Sequence, residues 1–292
     1  MIRQRPPPRP LMIMPGAPGS EARKPRPKEK AVRKLLTLLA AMLAALTLAV
    51  SPAGAVTNGV PDGTEHPYVG LVVFYDEAGN PLHRCSGSLI SPTVFLTAGH
   101  CTFETASAQV WFEPTVTLES GYPFSGGITG TPYTYPCFDD FATFPNTCDL
   151  GIVVLDERVR LSEYGTLAAV GFLDRLATRR GQQEVLFTVV GYGLQEVKPV
   201  FSAERTRYRG TVQLVNLSSA LTDGYNIHTT SNPGVPHSGG TCFGDSGGPV
   251  LYGDTNTIVA VTSFGLNQNC KGADFAYRVD LAAAQEWINS FL

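Results

Sequence analysis

Positive charge is scarce over most of this 292-residue chain. Ten of the 22 Lys/Arg but only two of the 25 Asp/Glu fall before residue 35, which leaves twelve bases against twenty-three acids, a net charge of −11, in residues 56–292. A segment that acidic suits neither nucleic acid nor an anionic membrane surface, so neither is expected as a partner. Long apolar runs are missing too. The uncharged stretch at residues 35–50 has sixteen residues, against the roughly 20 needed to span a bilayer. No Cys-x-x-Cys spacing occurs, which argues against a structural zinc site, and no metal or cofactor is expected. No internal repeat is visible.

The N-terminal part has its own chemistry. Residues 1–34 are basic and rich in proline, as at Pro6-Pro7-Pro8, and cannot bury a core. The apolar stretch follows, and then Ser51-Pro52-Ala53-Gly54-Ala55. A basic head, a short apolar segment and an Ala-x-Ala end read as an export signal over residues 1–55. A membrane anchor is the competing reading; the stretch is short for one, and the cleavage site follows at once. The head is long for a signal, so Met12 or Met14 are alternative starts. All six cysteines lie beyond residue 55, an even number that favours disulfides in a secreted, extracellular protein without membrane attachment after signal cleavage. The remaining 237 residues suffice for a sizeable core.

Short runs rich in Val, Ile, Tyr and Phe, separated by Gly, Pro and Asn, dominate that remainder. They fall at 68–75, 87–90, 94–97, 109–112, 151–155, 185–192, 206–214, 249–252, 258–264 and 275–279, and predict an all-β sandwich or barrel. The polar stretch 156–183 is the candidate connection between two halves. Residues 281–292 place Leu281, Ala284, Trp287, Ile288 and Phe291 at helical spacing behind Asp280, the expected N-cap. The stretch 114–147 has no strong pattern and reads as a loop system, either near the cleft or a surface insertion without a role. Asn216-Leu217-Ser218 fits a glycosylation sequon, too common a pattern to carry weight.

Two segments about 145 residues apart complete each other: Leu96-Thr97-Ala98-Gly99-His100-Cys101 and Gly244-Asp245-Ser246-Gly247-Gly248-Pro249. A serine hydroxyl is a weak nucleophile until a base takes its proton, and a histidine is a useful base only when its tautomer is held. Between them, Cys148-Asp149-Leu150-Gly151 places an acid at the mouth of the apolar strand at 151–155. The order His, Asp, Ser is that of one serine-hydrolase triad. An esterase or lipase would also carry the Gly-x-Ser-x-Gly string at 244–248, but usually in the order Ser, Asp, His. On these residues the chain from about Val56 to Leu292 resembles the chymotrypsin/trypsin-like serine proteases.

That resemblance implies a fold of two packed antiparallel six-stranded β-barrels with a C-terminal α-helix, one half in 56–168 and the other in 169–292. It implies a monomeric, cofactor-independent endopeptidase acting on proteins or peptides and open to protein inhibitors. His100, Asp149 and Ser246 would be catalytic, and the backbone N–H groups of Gly244 and Ser246 would form the oxyanion hole. Asp245 would pair with the free amine of the mature N-terminus, which Val56 supplies if signal removal cuts after Ala55; a further trimming protease is the alternative. The family's pattern implies bridges Cys85–Cys101 and Cys242–Cys270. Cys137 and Cys148 then remain for each other, with no family rule behind them. The pocket for the side chain before the scissile bond would involve Gly240, Phe243, Ser263, Phe264 and Gly265. Gly240 departs from trypsin's aspartate, while Asp274 falls on a wall position and either faces the pocket, favouring Arg or Lys, or lies exposed in a turn. The rival from another class is a non-catalytic binding protein on the same scaffold.

Overall fold

β-Branched and aromatic runs bounded by Gly and Pro set the architecture of the computed structural model, which describes residues 56–176, 184–195, 204–231, 237 and 239–292. Residues 1–55, read above as an export signal, and residues 177–183 of the expected connection lie outside the described residues. A short strand β1 (Val60–Pro61) precedes the first barrel. That barrel comprises β2 (Val69–Tyr75), β3 (Pro81–Leu89), β4 (Val94–Thr97), β5 (Ser107–Trp111), β6 (Ile128–Thr134) and β7 (Gly151–Leu155), closed in the order β2-β3-β4-β7-β6-β5. The second comprises β9 (Leu186–Gly191), β10 (Tyr208–Asn216), β11 (Asn226–Ser231), β12 (Pro249–Tyr252), β13 (Thr257–Gly265) and β14 (Gly272–Arg278). Its ring closes because β9 pairs with both β10 and β12. A parallel two-residue strand β8 (Thr166–Leu167) joins β13 in the described part of the connection.

Core burial follows the strand pattern. β2 is buried along its whole length, and Phe95, Leu96 and Ile152 are fully inaccessible in the first barrel. Each side chain of that kind contributes about 1.5–3 kcal/mol when removed from water. The helix α2 (Ala282–Asn289) buries Ala284 and Ile288. It follows the second barrel in sequence yet packs on the first: Trp287 lies 5.0 Å from Tyr135, and Phe291 lies 5.1 Å from Tyr133 on β6.

Three sequence expectations need correction. The stretch 114–147 contains a full barrel strand, β6, whose exposure alternates residue by residue but whose Thr-, Gly- and Pro-containing sequence has too few apolar side chains to show it. β11 is likewise hidden by its Thr- and Ser-rich composition. Asp280 is not the N-cap of α2; Leu281 holds that position without a side-chain cap. The Asp280 carboxylate instead accepts from the Leu173 N–H at 2.8 Å and from Arg278 at 2.8 and 2.9 Å, partners stronger than a helix end.

One buried cation joins the halves. Arg207, 1% exposed, donates to Asp62 at 2.8 Å, to the Gly63 carbonyl at 2.7 Å, to the Val69 and Phe112 carbonyls at 3.0 and 3.1 Å, and to the Tyr192 hydroxyl at 3.2 Å. Asp62 also holds His66 through its ring and its backbone N–H. Burial would raise the Asp62 carboxyl, but His66 and Arg207 outweigh it and hold the group below its usual range.

Candidate active site

The end of β4 and the start of β7 lie side by side, Thr97 opposite Gly151. This register fixes the next residues on each chain. After β4 the backbone turns into a single helical turn, α1 (Gly99–Thr102), which carries His100 and is bridged to β3 by Cys85–Cys101. Before β7, Cys148 adopts a positive φ of 48° and turns Asp149 inward, where it is wholly buried. The second bridge, Cys137–Cys148, closes the loop preceding it, and Cys242–Cys270 is the third.

Asp149 accepts the His100 backbone N–H at 2.7 Å and faces Nδ1 of the ring at 2.9 Å and 3.1 Å. The Ser263 hydroxyl donates to the same carboxylate at 2.5 Å. Burial would raise the Asp149 carboxyl, but His100 and these donors outweigh it, and the group sits below its ordinary value. Burial likewise opposes a charged His100, yet the Asp149 charge and hydrogen bond, with Asp140 adding to them, move its pKa above 6.5. With Nδ1 committed to a carboxylate, Nε2 is the nitrogen left to exchange a proton.

His100 and Ser246 line one cavity of about 400 Å³, together with Phe141, Thr241, Cys242 and Phe243 and residues of β13 and β14. Ser246 is held from behind, its carbonyl accepting the Ser86 N–H of β3 at 2.8 Å. Gly244 has a φ of +97°, a left-handed conformation, and a β-carbon there would lie 3.0 Å from Cα of Gly193. Its carbonyl accepts the Ser86 hydroxyl at 2.8 Å, which fixes the peptide.

Asp245 is buried and accepts N–H groups from Gly193 at 2.8 Å and Cys242 at 2.9 Å. Burial pushes its carboxyl up to about 8; the two donors oppose the shift, and the nearby Asp274 charge adds to it. Among the described residues no cation lies within ion-pair distance of it. Val56 is also fully buried, in the second barrel's core, and the next residue, Thr57, pairs in both directions with Gly240 at 2.8 and 3.1 Å.

The pocket residues divide. Phe243 lines the cavity and is 55% exposed. Ser263, Phe264 and Gly265 line it from β13, but the Ser263 hydroxyl is spent on Asp149. Gly240 does not line the cavity: a β-carbon there would meet the Ser231 hydroxyl at 2.0 Å, so this hydroxyl stands against the glycine. Asp274 lines the cavity from β14 at 5% exposure, which overturns the reading of an acid exposed in a turn. It accepts the Thr241 N–H at 2.5 Å. Burial raises its carboxyl to about 6, against the lowering effect of Thr241 and Ser231.

Sequence reasoning missed Phe141 and Phe144. Phe141 lies 5.9 Å from the His100 ring and 6.2 Å from Phe264, and Phe144 lies 5.5 Å from Phe264. Their signal was the spacing of Phe138, Phe141 and Phe144 between Cys137 and Cys148, which makes an aromatic loop ending just before Asp149. Among the described residues no helix is long and apolar enough to cross a membrane.

Comparison with known proteins agrees with this architecture. The family profile described as Trypsin matches residues 60–288. Trypsin theta of Drosophila melanogaster is 27% identical over 227 residues, covering 76% of this chain and 80% of that protein. Brachyurin of Leptuca pugilator is 28% identical over 217 residues, covering 73% and 87%. The solved structure of HL collagenase superposes with a TM-score of 0.62 at 19% identity over 80% of this chain and 97% of that one. Human heparin binding protein superposes at 0.57 with 20% identity over 80% and 96%.

Proposed function

Because this chain belongs to the trypsin family, we propose that it is a secreted serine endopeptidase that hydrolyses peptide bonds through an acyl-enzyme. Trypsin-like proteases act on proteins or peptides. The observation that carries the reading is the grip of the buried Asp149 on both the backbone and the ring of His100, in a cavity that His100 shares with Ser246.

In the mechanism, Ser246 Oγ attacks the carbonyl carbon while Nε2 of His100 takes its proton. Asp149 keeps Nδ1 protonated and stabilises the imidazolium. Negative charge builds on the carbonyl oxygen, and the N–H groups of Gly244 and Ser246 meet it. The tetrahedral adduct collapses, the C–N bond breaks, and the amine leaves with the proton from His100. Water, deprotonated by His100, then cleaves the ester and restores Ser246.

Asp245 has a place in the same reading. A buried carboxylate with two N–H donors and, among the described residues, no cation within ion-pair distance fits a state awaiting a counter-charge, and the amine of Val56, freed by a cut after Ala55, would supply it. Sequencing the N-terminus of active secreted material tests this; an active enzyme beginning elsewhere contradicts it. The three disulfides support an oxidising, extracellular destination. In the pocket, the buried Asp274 supports a preference for Arg or Lys before the scissile bond.

A fluorophosphonate probe, which bonds only to an activated serine, tests the reading as a whole. Labelling of the wild type and not of Ser246→Ala supports it. An unlabelled wild type with a correct N-terminus points to a binding protein on this scaffold, the character that the printed name of heparin binding protein gives to one structural neighbour.

A further inference from the structure

Strand β3 passes behind the nucleophile. Its Ser86 binds the Ser246 carbonyl through its N–H and the Gly244 carbonyl through its hydroxyl, each at 2.8 Å. Strand side chains alternate, so Arg84, two residues earlier, emerges on the same face as Ser86. It is half-buried, and its Nε lies 3.5 Å from the point a β-carbon on Gly244 would occupy. The guanidinium therefore rests against the peptide whose N–H is assigned to the oxyanion.

Among the described residues no hydrogen bond or ion pair involves the Arg84 side chain, while its charge acts on the buried Asp245. Its neighbour His83 is turned to the Cys101 carbonyl at 2.9 Å. Of the other buried or half-buried arginines, Arg207, Arg209 and Arg278 are each matched to carboxylates, and Arg205 donates to the Val116 carbonyl at 3.0 Å and lies over the Tyr122 ring. The cavity for the side chain before the scissile bond is lined by residues 241–243 and by β13 and β14, not by Arg84. Arg84 thus lies outside that cavity but beside Gly244, whose N–H is assigned to the oxyanion.

On the endopeptidase reading, we propose that Arg84 is a specificity residue on the leaving-group side, recognising a carboxylate side chain within the first two residues after the scissile bond. A guanidinium presents a planar fork of donors that matches a carboxylate, and among the described residues no acid lies within ion-pair distance of it; Asp245, buried and bound to two N–H groups, acts on it only at longer range. The rest of residues 56–292 is acidic and repels such a substrate, so the preference rests on this local charge.

The test uses the processed enzyme and internally quenched peptides with one common half before the cut, carrying Glu, Gln or Lys at the first or second position after it. Mass spectrometry verifies the cleaved bond, and the readout is the ratio of kcat/KM values within each variant. For the wild type the Glu peptide should exceed the Lys peptide about fivefold, the scale of a partly exposed ion pair. Arg84→Ala should bring the ratio to about one and Arg84→Glu should invert it. A wild-type ratio of one, or a ratio unchanged in both variants, overturns the proposal while leaving the endopeptidase reading intact. A wild type that cleaves none of the peptides and takes no fluorophosphonate overturns both.

Discussion

The Asp149 carboxylate holds His100 at two points, the backbone N–H at 2.7 Å and ring Nδ1 at 2.9 Å, so the position of the helical turn and the tautomer of the ring depend on one buried group. Asp149→Asn keeps the shape but presents an amide to Nδ1, which reverses the tautomer. The expected loss in kcat is about ten-thousandfold, and Ser246→Ala should lose on the order of a million-fold. Steady-state kinetics on an amide substrate measures both; a tenfold loss for either would contradict their assigned roles.

The pH profile follows from the direction in which His100 is moved. Its pKa lies above 6.5 because the Asp149 carboxylate outweighs burial. The ring therefore keeps its proton to a higher pH than a free histidine, and a protonated ring cannot accept one from Ser246. The acid limb of kcat/KM should have its midpoint above pH 6.5, and residual activity of Asp149→Asn should show a lower midpoint. A wild-type midpoint well below 6.5 would contradict this.

Asp274 predicts a selectivity that changes with acidity. Its carboxyl, raised to about 6 by burial, is ionised at pH 7.5 and mostly protonated at pH 5. The preference for Arg or Lys over Phe or Leu before the scissile bond should fall about tenfold between those pH values, the worth of one charge-assisted contact. Ratios within substrate pairs cancel the His100 titration. Asp274→Asn should show a low, flat ratio; a flat ratio in the wild type would dismiss the role.

Gly244 predicts a loss confined to the chemical step. Alanine there meets both the left-handed φ of +97° and Cα of Gly193 at 3.0 Å, so the peptide must shift and its N–H with it. Gly244→Ala should lower kcat by about a hundred- to a thousandfold with little change in KM. An equal rise in KM would indicate a collapsed pocket instead.

The segments around His100, Asp149 and Ser246 were legible because each is a contiguous string with an unusual composition, and the strands at 94–97, 151–155 and 249–252 were legible because they are short apolar runs. β6 and β11 escaped because their residues are held by backbone pairing on both sides, with few apolar side chains to announce it. The dual role of Ser263 and the position of Arg84 depend on residues more than a hundred positions apart in the chain, Asp149 and Gly244, and no local pattern encodes such pairs.

The Arg207 cluster means that neither half is a separable module. Its donors satisfy a carboxylate and a carbonyl ahead of the first barrel, two carbonyls in or beside that barrel and a phenol following β9. A chain cut in the connection and divided there would leave Asp62 charged without its guanidinium on one fragment, and a bare guanidinium on the other, at about 3–5 kcal/mol for such a rupture. Heat or denaturant should therefore dismantle both barrels in a single cooperative transition.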